Sequence, residues 1–204
     1  MNVTIIGTGN MAKGIATRLV SGGHKVTFHA KDETKGEELI AELKGTSVAT
    51  VGNTTDEIVV LAVPYGEVEN IAKEYNGFDG KIVVDITNPV DSATFQLIPA
   101  PGESGAQEIA KLLPNAKVLK AFNTTLAGAL VAGTIEGKQL DVFVAGDDLD
   151  AKKTLSEVIN TSGMRAIDVG PLANARHLEG FGLIQMAVQD QIGTGWMSAL
   201  KFLG

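Results

Sequence analysis

Two hydrophobic periods alternate along this chain. Val3, Thr4, Ile5 and Ile6 form a continuous strand-like run, Gly7-Thr8-Gly9 interrupts it, and Met11, Ile15 and Leu19 then recur four apart with Ala12, Ala16 and Val20 beside them. That spacing predicts a strand, a tight turn and a helix, which Gly22-Gly23 ends. The alternation continues with a strand over 25–29, a charged helix over 33–44 and a strand over 47–51. The segments EIVVLAVP and KIVVDITNP, separated by a helix over 67–74, are apolar on both faces, as strands inside a helix-covered parallel sheet are. Ser104-Gly105-Ala106-Gln107 has capping-box spacing ahead of Ile109, Ala110, Leu112 and Leu113, Pro114 stops that helix, and KVLKAF reads as a sixth strand. The expected fold class is α/β: a Rossmann-like, doubly wound, mainly parallel sheet.

Past Phe122 the pattern changes. A helix over 125–132 is followed by two strand-like runs, VFVAGDD and RAIDVG, around a helix over 150–161, and these extend the sheet. A long, largely apolar helix over 173–192 carries Leu178, Phe181, Ile184, Met186 and Val188, and Gly193-Thr194-Gly195 then turns into WMSALKFLG. The chain divides into an NAD(P)-binding Rossmann domain over 1–121 and a C-terminal portion over 122–204. The latter combines a sheet extension with a small helical part that covers the sheet's carboxyl edge, where open α/β sheets hold ligands.

Composition narrows the chemistry. The 204 residues are 44% hydrophobic, enough to bury a sizeable core. The longest apolar runs, such as 58–63, fall far short of the roughly 20 residues a membrane span needs, and no charged leader precedes the first strand, so a cytoplasmic address is expected. The absence of cysteine removes disulfides, thiol nucleophiles and cysteine-ligated zinc, and three scattered histidines (His24, His29, His177) argue against any metal site. With 17 basic against 24 acidic residues the net charge is −7, the wrong sign for nucleic acid.

The candidate site begins at the first turn. Gly7-x-Gly9-x-x-Ala12 follows a strand and opens a helix, so the first glycine permits the turn, the second lets a pyrophosphate reach backbone N–H groups, and the small third residue lets helix and strand pack. At the end of the second strand an NAD-type site would place Asp or Glu. The sequence has His29-Ala30-Lys31-Asp32: either Lys31 meets a 2'-phosphate, favouring NADP(H), or Lys31 is a solvated lysine and Asp32 holds the ribose.

GTGNMAKGIA, VAGDD, DVGPLANAR, the terminal Gly-rich turn and KFL together resemble the NADP oxidoreductases that use the deazaflavin coenzyme F420, over nearly the whole length. Pyrroline-5-carboxylate reductases begin with a comparable Gly-x-Gly-Asn-Met-Ala but carry a longer helical C-terminal region than 122–204 provides. The resemblance implies hydride transfer between the nicotinamide and a deazaflavin stacked at the carboxyl edge, in a cytoplasmic homodimer whose partners are small-molecule redox cofactors. Such chemistry needs distance, stacking and exclusion of water rather than a side-chain acid or base, and no catalytic acid or base is assigned. By motif position, Gly7, Thr8, Gly9, Asn10 and Met11 would hold the pyrophosphate and ribose, Ala30 and Lys31 the 2'-phosphate, and Val63 and Pro64 the cofactor near its nicotinamide half. The family pattern has Ser-Arg where this chain has Ala30-Lys31, which removes a hydroxyl and a bidentate fork. Deazaflavin-using members commonly carry histidine at the position of Asn123. Asn123-Thr124 instead resembles the NADPH-binding, flavin-dependent reductase domain of six-transmembrane metalloreductases, so FMN or FAD stands beside F420 as the expected acceptor.

Other readings remain at the acceptor side. Asn123 either contacts the acceptor or caps the helix over 125–132. Asn88-Pro89, at the carboxyl end of a strand, opens a long loop and is expected to line the site with Asn123 and Thr124. Asp147-Asp148 reads as a helix start, Arg176 and Glu179 as a surface pair or Arg176 as an anion contact, and Trp196 as a ring cover or dimer anchor. A reductase of a small carbonyl or imine, and a non-enzymatic NADP-binding regulator, are the alternatives.

Overall fold

The computed structural model of the chain describes residues 1–50 and 52–203. Val51, the expected end of the third strand, and Gly204, the last residue of WMSALKFLG, lie outside the described residues. Strands β1 (Asn2–Ile6), β2 (Lys25–Ala30), β3 (Thr46–Thr50), β4 (Ile58–Leu61), β5 (Ile82–Asp85) and β6 (Lys117–Lys120) pair in the order β3-β2-β1-β4-β5-β6, all parallel. Chain order thus reverses beside β1, and a crevice opens beyond the carboxyl ends of β1 and β4. Helices α1 (Asn10–Ser21), α2 (Glu33–Glu42), α3 (Val68–Glu74) and α4 (Gly105–Leu112) make the crossovers. Ser104 caps α4 as its spacing predicts, accepting from the Gln107 N–H at 3.2 Å.

The central strands are sealed on both faces, which explains their unbroken apolar runs. Ile5, Val60, Val84 and Leu119 face one side with Ile15 and Leu19 of α1, while Ile6, Val59, Val83 and Val118 face the other with Ile71 and Ile109. After β6 come α5 (Ala127–Ala132) and a two-stranded hairpin, β7 (Thr134–Ile135) with β8 (Lys138–Gln139). The hairpin was not anticipated; Glu136 (φ 51°) and Gly137 (φ 72°) both take the left-handed conformation its two-residue turn requires. Strand β9 (Asp141–Gly146) then enters the sheet antiparallel to β6, and α6 (Leu149–Thr161) returns the chain to β10 (Arg165–Asp168), parallel to β9. Asp148 caps α6, accepting from the Ala151 N–H at 2.8 Å.

Two helix expectations need correction. The helix expected over 125–132 starts two residues later, and its N-cap is Leu126, with no side-chain cap. The single helix expected over 173–192 is α7 (Ala175–Ala187) and a short α8 (Gln189–Ile192), broken at Val188 and ended by Gly193 at φ 63°. From there the chain crosses the carboxyl edge of the sheet. Ala199 bridges to Thr125, and the Asp141 carboxylate holds the end of the chain through Lys201 Nζ at 2.8 Å and the Phe202 N–H at 3.0 Å.

Candidate cofactor cleft

The turn between β1 and α1 has the shape that a pyrophosphate requires. Gly7 sits at φ 116°, and a Cβ there would overlap the Ala62 carbonyl oxygen, so neither backbone nor space admits another residue. Gly9 is the N-cap of α1, no side chain caps the helix, and a Cβ on Gly9 would meet nothing within 4 Å. Uncapped N–H groups therefore face open space at the positive end of a twelve-residue helix. Thr8, Gly9, Asn10, Lys13 and Lys35, together with Glu38, Leu39 and Glu42, border a cavity of about 220 Å³ there. Lys13 is ion-paired with Glu42.

The end of β2 is less open than the sequence suggests. Ala30 is buried, with its methyl beside Gly36, so only its backbone can reach a ligand. Lys31 is exposed, with the carboxylates of Glu67 and Glu74 at 3.8 and 3.6 Å. Asp32 caps α2 through the Lys35 N–H at 3.3 Å. Val63 and Pro64 follow the end of β4, with Val63 beside the Gly7 turn.

A larger cleft of about 780 Å³ opens beside the turn, and Asn10, Met11 and Lys13 line it from α1. Leu126, Val131, Met186, Trp196 and Met197 make it largely apolar, and Asn88, Asn123, Thr125 and Gln185 are its deeper polar groups. Phe122, buried at φ 63°, bends the chain out of β6 and brings Asn123 to the cleft. The Asn123 amide donates to Asn88 Oδ1 and to the Leu178 carbonyl, both at 2.9 Å, and Asn88 Nδ2 donates back to the Asn123 carbonyl at 2.9 Å. Asn123 therefore ties β5, β6 and α7 together and does not cap α5. Its Oδ1, the Thr125 hydroxyl and the Gln185 Oε1 are buried with no partner among the described residues, which fits a ligand that brings its own donors. Thr124 is also buried with an unpartnered hydroxyl, but neither it nor Pro89, packed against Gly105, lines the cleft. Trp196 is half-exposed at the cleft mouth, at φ 63°.

Behind the cleft lies a charged cluster that sequence reasoning missed. Lys120 is fully buried and donates to Asp85 Oδ2 at 2.8 Å, Glu179 Oε1 at 2.8 Å and the Thr87 carbonyl at 2.6 Å. The Glu179 carboxylate also accepts the Gly105 and Ala106 N–H groups at 3.1 and 3.3 Å, capping α4 from α7. The expected Arg176–Glu179 surface pair is therefore corrected: Glu179 points inward, while Arg176 donates to the Gly102 carbonyl at 3.3 Å. The available signal was a lysine and an aspartate inside runs otherwise apolar on both faces, since buried charges are rarely unpaired.

Comparison with known proteins agrees with this geometry. Residues 2–89 match the family model described as NADP oxidoreductase, coenzyme F420-dependent. The chain is 33% identical over 181 residues to metalloreductase STEAP3 of Rattus norvegicus, covering 89% of this chain but only 36% of that protein, so it spans about a third of that relative's length. It is 29% identical over 216 residues to the F420-dependent NADP reductase of Methanothermobacter marburgensis, covering 94% of this chain and 95% of that one. The crystal structure of an F420-dependent NADP reductase assigned in Arthrobacter sp. FB24 superposes with a TM-score of 0.82 at 26% identity, over 95% of this chain and 96% of that one. The glycine turn lies inside the matched residues 2–89, and the likeness to these reductases runs on through the C-terminal portion.

Proposed function

We propose that this chain transfers hydride between NADP(H), held at the Gly7-to-Met11 turn, and a planar deazaflavin or flavin ring in the large cleft. The observation that carries the reading is that Asn10 and Lys13 border both cavities, so a dinucleotide whose pyrophosphate lies on α1 can extend its nicotinamide into the cleft. Gly7, Thr8, Gly9, Asn10 and Met11 bind the pyrophosphate and ribose, Lys31 with the Ala30 backbone binds the 2'-phosphate, and Val63 and Pro64 border the nicotinamide side. Asn88 and Asn123 orient the acceptor by its polar edge, while Pro89 and Thr124 support them from outside the cleft. The cofactors supply the reacting atoms when bound. The protein supplies approach distance, stacking against Met and Trp side chains, and exclusion of water.

In this reading residues 1–121 hold the dinucleotide and 122–204 close over the acceptor. The assembly is a cytoplasmic homodimer, for which the exposed Phe181 and Phe202 beside one apolar hollow supply contact area. A neutral amide at residue 123 can donate to or accept from a ring edge but cannot carry the positive charge that imidazole brings to an anionic deazaflavin. FMN and FAD are therefore expected to serve at rates comparable to F420. Anaerobic NADPH oxidation measured with F420, FMN, FAD and no acceptor tests the reading. Asn123→His should shift the kcat/KM ratio toward F420; an unchanged ratio would remove Asn123 from the acceptor site, and binding of NADPH with no acceptor reduced would favour a regulator.

A further inference from the structure

We infer that the buried Lys120–Asp85–Glu179 cluster is a positioning device for the cleft: it sets the Asn88–Asn123 amide pair, and through that pair the placement of the acceptor ring. The inference rests on the hydride-transfer reading above for its kinetic consequence, but its structural core stands on geometry alone.

Two of the three arms of Lys120 end one residue from a member of the amide pair or from its partner. The Thr87 carbonyl that accepts from Nζ at 2.6 Å directly precedes Asn88. Glu179, which accepts at 2.8 Å, directly follows Leu178, whose carbonyl receives the Asn123 amide at 2.9 Å. Asp85, the third acceptor, also fixes the exit of β5 by accepting the Thr87 N–H at 2.8 Å. Lys120 itself lies three positions before Asn123 on the strand that delivers it. One ammonium thus locks the ends of β5 and β6 to α7, and the amide pair is the point at which those three elements meet the cleft.

Two features show that α7 must be held closely for this to work. Gly182 lies against Asn88, where a Cβ would overlap its amide oxygen, so α7 approaches to backbone contact. One helical turn further on, Gln185 lines the cleft with an unpartnered Oε1. A shift of α7 by a fraction of an ångström would therefore displace Asn88, the Asn123 anchor and Gln185 together. Lys120, Asp85 and Glu179 do not line the cleft, so their effect on an acceptor passes through these amides.

Glu179→Gln is the informative substitution, because it keeps size and one accepting oxygen but turns an NH2 toward Lys120 or toward the α4 N–H groups. In a 15N-resolved NMR spectrum of the full chain, the side-chain amide signals of Asn88 and Asn123 should shift or broaden in Glu179→Gln, with the amide signals of Gly9 and Asn10 unmoved. Asn88 and Asn123 signals that stay in place would overturn the inference whether or not any acceptor turns over. With FMN as acceptor, Glu179→Gln should lower kcat/KM about ten-fold while leaving NADPH affinity within two-fold, and in an Asn123→Ala background the same substitution should cost less than about two-fold. An equal loss in both backgrounds would make the cluster a fold-stabilising element only. Wild-type protein that binds NADPH yet reduces nothing would count against the hydride-transfer reading, while the NMR result would still decide this one.

Discussion

A valine at residue 9 would stand in the open space faced by the uncapped N–H groups of α1, and that makes Gly9 the most direct test of the proposed phosphate site. Its φ of −79° asks nothing special of the backbone, so the protein should fold, losing about 1 kcal/mol for a poor N-cap. NADPH binding, followed by its fluorescence, should disappear; an unchanged affinity would remove the turn from the site. Gly7→Ala should behave differently. The new methyl would meet the Ala62 carbonyl at a φ of 116°, costing about 3 kcal/mol or more, visible as a lowered thermal midpoint before any ligand is added. For Lys31, the neighbouring Glu67 and Glu74 already share its charge, so Lys31→Ala should weaken NADPH binding by about ten-fold, the lower end expected for a charge-assisted contact, and leave NADH nearly unchanged. Equal losses for both would make it a structural lysine.

At the scale of elements, the large cleft depends on how closely α7 seats on the ends of β5 and β6. Gly182→Ala should force α7 away from Asn88, lowering stability by about 1–3 kcal/mol and acceptor turnover with it, while the NADPH affinity proposed to rest on α1 is retained. Chemical denaturation and NADPH titration on one preparation separate the two effects; a parallel loss of NADPH binding would mean that the cleft and the phosphate site are not independent. Removing the Lys120 ammonium leaves two buried carboxylates facing each other without a cation, so Lys120→Met should cost about 3–5 kcal/mol. The α1–α5 crossing is similarly close, since a Cβ on Gly14 would come within 2.9 Å of Leu130 Cβ.

Across the whole molecule, the segment after α8 joins the cleft to the far side of the sheet, and Asp141 is its anchor. Burial pushes the Asp141 carboxyl up, but hydrogen bonds from Arg165, Lys201 and the Phe202 N–H outweigh burial and hold it below its ordinary value. A carboxyl lowered in the folded state contributes stability that is present above its unfolded value, near 4, and is lost as pH falls through the lowered one. Asp141→Asn should therefore destabilise the protein by about 1–2 kcal/mol at pH 7 and by progressively less below about pH 4. Unfolding curves across that range check the sign; a difference that grows toward acid would refute the anchor. Trp196, on the same segment, should report loosening of the strap through its fluorescence.

The hydrophobic periods of this chain determined the parallel sheet, the order of its crossovers and the place of the glycine turn, because each follows from local spacing: period two or unbroken runs for strands, three to four for helices, and glycines where the backbone turns tightly. Ser104 and Asp148 as caps were legible for the same reason, a short polar side chain acting within three residues of itself. What the tertiary structure decided was the large cleft. Whether β9 would join β6 antiparallel depends on where a distant chain returns, and no local pattern encodes that direction. Asn123 read equally well as a cap or a contact, and its partners, Asn88 and the Leu178 carbonyl, lie 35 and 55 residues away. Glu179 three residues from Arg176 read as a surface pair, yet its partners are Lys120 and the start of α4, on other elements. A buried charge is satisfied by whichever opposite charge the fold brings beside it, and that choice is made by packing, not by sequence separation.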